Sequence, residues 1–317
     1  MPENITHVAV VDDCIRVASR WPEICPALKD ALTQHLEIAR LGGLTRISPY
    51  LRLLEKLRDS WTNRRPEDNL EMKLAFTVGT ILHQAADIQM KPVYHSFGGR
   101  EPYLECSIYT DVHLLGQIYG AGKDDAHWPY SPALLDLSAE TLPAIQGFSA
   151  KDLEDLSRVL LMRAYIALHT FQPGLDILDW MDRFFLLRQN YFISVQQYAE
   201  VFTNPNPEKV KRYVVDTNFY NPEDPLIQLA RTIQAGNAVD GGRIEEARSR
   251  AESQSQYARA VARGCKYVRA SSLFFENEMS RAEAIRALEL PLKGSQAEPV
   301  EARTWMNDWE TCLRIGK

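Results

Sequence analysis

His83 and Asp87 stand four residues apart in the stretch Phe76–Phe97, FTVGTILHQAADIQMKPVYHSF. A helix turns residues at that spacing onto one face. An imidazole nitrogen and a carboxylate oxygen side by side are donors for a divalent cation. The residues around them (Phe76, Val78, Ile81, Leu82, Ala85, Ala86, Ile88) are apolar, so the pair is expected on a mostly buried helix, where ionisable groups need a partner or a metal. Pro92 is expected to interrupt that helix, and the turn after it to fold His95 back toward the same face. His7, close to the chain start, is a further imidazole with Asp12 and Asp13 beyond it. The ordinary counterparts of these readings are a His–Asp hydrogen bond that orders a core helix and, for His7, an exposed polar side chain.

A second helical pattern, 103–118, carries Glu105, Tyr109 and His113 on one face and Ser107 and Asp111 on another. Leu104, Ile108, Leu115 and Ile118 turn the apolar side toward Ser107 and Asp111. Asp111 is therefore expected inside, as an additional ligand or a base, with His113 at the boundary. Arg100 follows Gly98-Gly99 and could grip an anion with two parallel hydrogen bonds; a solvated turn arginine is its ordinary role. All seven histidines lie before residue 170. His169 reads as a helix C-terminal residue, and His35 and His127 as surface or loop residues. Arg259, Arg263 and Lys266 form a basic stripe with no aromatic platform, which reads as a solvated face. The sequence has no HExxH, CxxC, G-x-S-x-G, Walker A or GxGxxG motif.

These residues need helices to hold them, and helices are what the patterning supplies. The spacing predicts them over 4–20, 27–41 (stopped by Gly42-Gly43), from Ser48-Pro49 onward, 71–90, 103–118, 151–170, 175–202, a shorter segment near 208–216, then 224–235, 243–270, 279–288 and 299–314. No convincing period-2 strand appears, so the class is all-α, a compact multi-helix array. The chain divides into a metal-site helical core, 1–170, and a helical extension packing on it, 171–317, or forms one continuous domain. With 42 acidic and 36 basic residues, a net charge of −6 and 45% hydrophobic residues over 317 positions, the composition is ordinary for a globular chain. It does not favour nucleic acid or an anionic membrane as partner. Five widely spaced cysteines suit free thiols in a reducing compartment. No run approaches the roughly 20 apolar residues a membrane span needs, and the N-terminus lacks a secretory pattern. A cytoplasmic location is expected.

Three pieces of text together carry a resemblance: Thr6-His7-Val8-Ala9, Arg40-Leu41-Gly42-Gly43 through Ser48-Pro49, and Gly79 through His95. They resemble the zinc-dependent phospholipase C family, whose superfamily also holds single-strand-specific zinc nucleases, over roughly residues 5–120. The resemblance implies an all-α fold and a cleft with two or three zinc ions, where a metal-bound water attacks a phosphodiester. It makes His7 the N-terminal-region ligand and His83, Asp87 and His95 the rest of the metal set. Three departures stand out. Tyr50 occupies the place of an expected aspartate, Ser107 that of an expected histidine, and the Asp87-to-His95 spacing is long. One or two zinc ions are therefore expected, with iron or manganese compatible with the same ligands.

The function these readings imply is a metal-dependent hydrolase acting on a phosphoester, either a phosphodiester or a phospholipid-like small molecule. His7, His83, Asp87 and His95 would hold the metal, Asp111 would be a further ligand or base, and Arg100 a phosphate contact. Two alternatives remain open: a non-catalytic helical binding protein with a degenerate metal site, and an iron-dependent oxidative enzyme on the same ligands.

Overall fold

Two helices are buried on nearly every side, and both are built from small and branched apolar residues. Helix α1, Asn4–Arg20, buries every side chain from Ile5 through Ile15. Helix α5, Leu70–His95, buries each residue from Thr77 through His83. Helices apolar on all faces belong in an interior. The computed structural model describes residues 4–44, 50–120, 197–198 and 200–290.

Around these two lie α2 (Pro26–Gln34), α3 (Leu36–Gly43), α4 (Tyr50–Trp61), α6 (Arg100–Tyr119) and α10 (Gln256–Phe275). All five pack on α5; α1 meets α2, α3, α6 and α10. A short α7 (Pro207–Val210) runs into a π-helical turn at Lys211–Val215. Helices α8 (Pro225–Gln234), α9 (Gly241–Ser249) and α11 (Arg281–Ala287) complete the described array. It contains no strand among the described residues. One hydrophobic cluster runs from Ile5 to Leu288 through both halves of the sequence.

Glycines set the closest approaches. At Gly42 an added Cβ would lie 2.2 Å from the Phe76 carbonyl oxygen, and at Gly79 it would lie 2.1 Å from that of Ala39. Backbone cannot yield by that much, so α3 and α5 cross where neither has a side chain. Gly42 and Gly43 therefore do more than stop a helix; they are α3's contact surface. Gly264 of α10 likewise admits the Cys14 sulfur of α1, 2.3 Å from where its Cβ would be.

Several expected helices differ in outline. The 27–41 segment breaks at His35 (φ −120°, ψ 43°) into α2 and α3. The 243–270 segment breaks at 250–255, where the Ser255 hydroxyl accepts from the Ala258 amide and the Asp224 carboxylate accepts from the Ser255 amide at 2.9 Å. Pro92 does not interrupt α5, which continues to His95. Proline here is exposed and lies in the last turn of the helix, where only a few residues remain and the helix bears its presence. The expected helices at 151–170 and 299–314, and most of 175–202, lie outside the described residues, as does Ser48-Pro49. No helix among the described residues is long and apolar enough to cross a membrane.

Candidate metal centre

His7 on the first turn of α1 and His83 and Asp87 on successive turns of α5 converge in the interior. One donor atom from each lies within 4.8 Å of the others. His7 and His83 are 1% and 2% exposed, and Asp87 is 8% exposed. The position of His7 at the start of a helix suggested a solvated residue. It is buried because the start of α1 is itself capped from within the fold by Asp111.

The histidine rings stack, with centroids 4.0 Å apart and planes within 5° of parallel. His83 Nδ1 lies 2.8 Å from the Gly43 carbonyl oxygen. A carbonyl only accepts, so Nδ1 carries the proton, and in the neutral ring the lone pair is then on Nε2. That nitrogen is 3.3 Å from Asp87 Oδ2. The His7 Nε2 is 3.6 Å from Asp87 Oδ1. The first is at the long end of N–H···O hydrogen bonds and the second beyond it. Both match the edge of a tetrahedron of donors about 2.1 Å from a central zinc, which is about 3.4 Å. Parallel rings aim their in-plane lone pairs side by side, so joint ligation asks one ring to turn about its Cβ–Cγ bond.

The glycine crossing makes this arrangement. Only because α3 and α5 touch backbone to backbone at Gly42 and Gly79 does the Gly43 carbonyl reach His83. Metal-binding histidines commonly donate their other nitrogen to such a carbonyl, which fixes ring and tautomer. The signal for this in the sequence is the run of small residues Ala39, Gly42 and Gly43 on one segment and Ala75 and Gly79 on the other, at helical spacing on both.

The other residues expected at the site lie elsewhere. His95 is exposed at the end of α5 and packs its ring against Tyr103, centroids 4.9 Å apart. Because the helix runs straight through Pro92, His95 is carried about 12 Å along the axis from Asp87 and about 18 Å from His83, at 1.5 Å per residue. It cannot share their ion. Asp111 is fully buried but stands outside the donor group. Its carboxylate accepts from the Ile5 amide (2.9 Å), the Thr6 amide (2.8 Å), the Thr6 hydroxyl (2.5 Å) and the Tyr198 hydroxyl (2.7 Å). It therefore caps the positive end of α1 from α6. Arg100 is exposed at the first residue of α6. Glu105 receives Lys209 and the Tyr213 hydroxyl, which pins the π turn to α6. The basic stripe is answered in part: Arg263 and Lys266 both pair with Glu289.

One participant was not read from the sequence. Lys91, a further turn along α5, places Nζ 2.9 Å from Asp87 Oδ2. Its signal is the row His83, Asp87, Lys91, each four residues from the last.

A second charged cluster lies farther along α1. Arg40 grips Asp12 with two parallel hydrogen bonds of 2.7 and 2.9 Å and reaches Glu37 at 2.7 Å, while Tyr119 donates to Asp12 at 2.9 Å. Asp13 receives Arg231 on both oxygens, Arg16 at 2.5 Å and the Tyr257 hydroxyl at 2.8 Å. Burial works to raise the Asp13 carboxyl, but Arg231 and Arg16 outweigh it and the net shift is downward. With guanidinium groups already seated on them, these carboxylates leave no place for a metal ion.

No family model matches this sequence, and neither a curated protein nor a solved structure does.

Proposed function

We propose that the chain is a metal-dependent hydrolase acting on a phosphoester, with His7, His83 and Asp87 holding one divalent cation. The observation that carries this reading is the hydrogen bond from His83 Nδ1 to Gly43, which in the neutral ring leaves Nε2 as a lone-pair donor, 3.3 Å from a carboxylate oxygen of Asp87. Zinc held by three such donors keeps a fourth position open, where it brings a water's pKa to about 7 and polarises a phosphoryl oxygen.

The chain's own residues supply the rest. Gly43 holds the His83 tautomer, Asp87 contributes the negative charge that draws the cation, and the apolar walls of α1 and α5 keep competing water away from the buried side. The phosphoester is supported by the likeness of the His7, Arg40–Pro49 and Gly79–His95 text to zinc-dependent phospholipase C and the zinc nucleases, and with it a phospholipase C-like form of the helical array. One ion rather than two or three follows from the positions of His95 and Asp111. Two imidazoles with one carboxylate are also the donor set of mononuclear iron oxygenases, which is the second reading; iron content and a visible absorption band separate the two.

The test begins with metal analysis of purified protein and hydrolysis of bis-p-nitrophenyl phosphate with Zn²⁺, Mn²⁺ or Fe²⁺ added. Metal at 100 times its dissociation constant should stabilise the fold by about 2.7 kcal/mol, with the melting temperature rising accordingly. A chelator should reverse the rise, and His83→Ala should abolish both it and hydrolysis. A melting temperature indifferent to every metal and to chelator would leave a helical binding protein instead.

A further inference from the structure

Asp87 Oδ2 serves two neighbours at once: Lys91 Nζ at 2.9 Å and His83 Nε2 at 3.3 Å. An ammonium on one side of that oxygen and a divalent cation on the other repel each other. The side chains of His7 and His83 are only 1% and 3% exposed and have no solvent side to retreat to, whereas that of Lys91 is 35% exposed. Lysine carries its charge on a four-carbon stem with rotatable donors. When a metal arrives, Lys91 is the group with somewhere to go, and that place is the solvent edge of the site.

We infer, on the metal reading above, that Lys91 is a built-in counter-ion that the metal displaces, and that the released ammonium then meets an anionic oxygen of the substrate. The substrate class is accordingly a phosphate ester that presents a charged oxygen beside the bound metal, not a neutral ester or amide. Lys91 thus acts twice through one charge. It steadies a buried carboxylate while the metal is away, and it adds a second positive centre for the anion when the metal is present.

Two opposed effects follow from neutralising it. Calorimetry of Zn²⁺ binding to chelator-stripped wild type and Lys91→Met should show the variant binding the ion about tenfold tighter, a change of about 1.4 kcal/mol. Titration of inorganic phosphate into the Zn²⁺-loaded proteins should show the variant binding the anion about tenfold weaker, with Lys91→Arg close to wild type. If wild type takes up Zn²⁺ and either affinity is unchanged in Lys91→Met, the role of Lys91 is overturned while the metal site stands. If wild type takes up no Zn²⁺, the metal reading falls and this one with it.

Discussion

Helix α1 buries a histidine near its start and two aspartates half-way along, and the fold treats them in opposite ways. Asp12 and Asp13 each accept short hydrogen bonds from guanidinium groups, and three guanidinium groups face three carboxylates once Glu37 is included. Around His7 the Asp87 carboxylate stands 3.6 Å off, and the His83 imidazole is stacked on its ring. A buried cluster closed by arginine forks is finished as it stands. A buried cluster of nitrogen and oxygen donors spaced at the edge length of a coordination polyhedron could hold an ion, and the proposed function puts one there. The contrast teaches that burial of charge does not by itself mark a site. The spacing between the donors does.

The largest effect expected from breaking this comparison is at the closed cluster. Asp13→Asn keeps the shape but removes the charge that compensates Arg231 and Arg16 in the interior, and half of a buried pair lost costs about 3–5 kcal/mol. Urea unfolding should show this loss, with Zn²⁺ affinity of the folded fraction little changed. The depressed carboxyl of Asp13 also has a pH signature. The unfolded chain takes up that proton first, so the stability from Asp13 is in full force above about pH 4, the ordinary aspartate value. It is lost as pH falls through the lower folded value. Asp13→Asn should remove that part of the acid sensitivity.

A smaller effect separates capping from ligation. Asp111→Ala leaves the first amides of α1 and the Thr6 and Tyr198 hydroxyls without their acceptor, a cost of about 1–3 kcal/mol. Metal uptake should weaken only as far as His7 loosens with its turn. Asp87→Ala should abolish uptake outright. Equal loss of metal in the two variants would place Asp111 at the ion after all.

Both outcomes bear on what could be read from the residues themselves. The His83–Asp87 pair was legible because one helix sets its geometry, and α1, α5, α6 and α8 follow from local periodicity for the same reason. What failed was decided between elements. The break at His35 interrupts an apolar pattern that continues across it from Leu32 to Leu36, and the start of α10 depends on Asp224, some thirty positions upstream. Pro92 reads as a breaker only if its surroundings are ignored. His95 followed it into error, since a continuous helix separates two histidines that a turn would have joined. His7 was named with the metal set and does stand with His83 and Asp87, but that Asp111 of α6 would accept the first amides of its helix leaves no local trace. The pairing of Asp12 with Arg40 and of Asp13 with Arg231 leaves no local trace.

The smallest expected effect lies at the edge of the closed cluster and tests burial without a charged partner. His113 is half-buried on α6, and its ring meets Tyr220, which in turn packs on Tyr257, the donor to Asp13. Burial alone pushes the His113 imidazole below the usual histidine value of 6.5. The unfolded chain therefore binds a proton that the folded chain refuses, so stability is complete above about pH 6.5 and declines as pH falls toward the lower folded value. Asp13 has Arg231 and Arg16 to oppose its desolvation, whereas burial alone shifts His113, and its pH dependence should appear at milder acidity. His113→Gln should flatten the melting temperature as pH first falls below about 6.5 while leaving the loss below about pH 4 in place. A variant whose profile overlays wild type throughout would mean that the ring stays hydrated despite its packing.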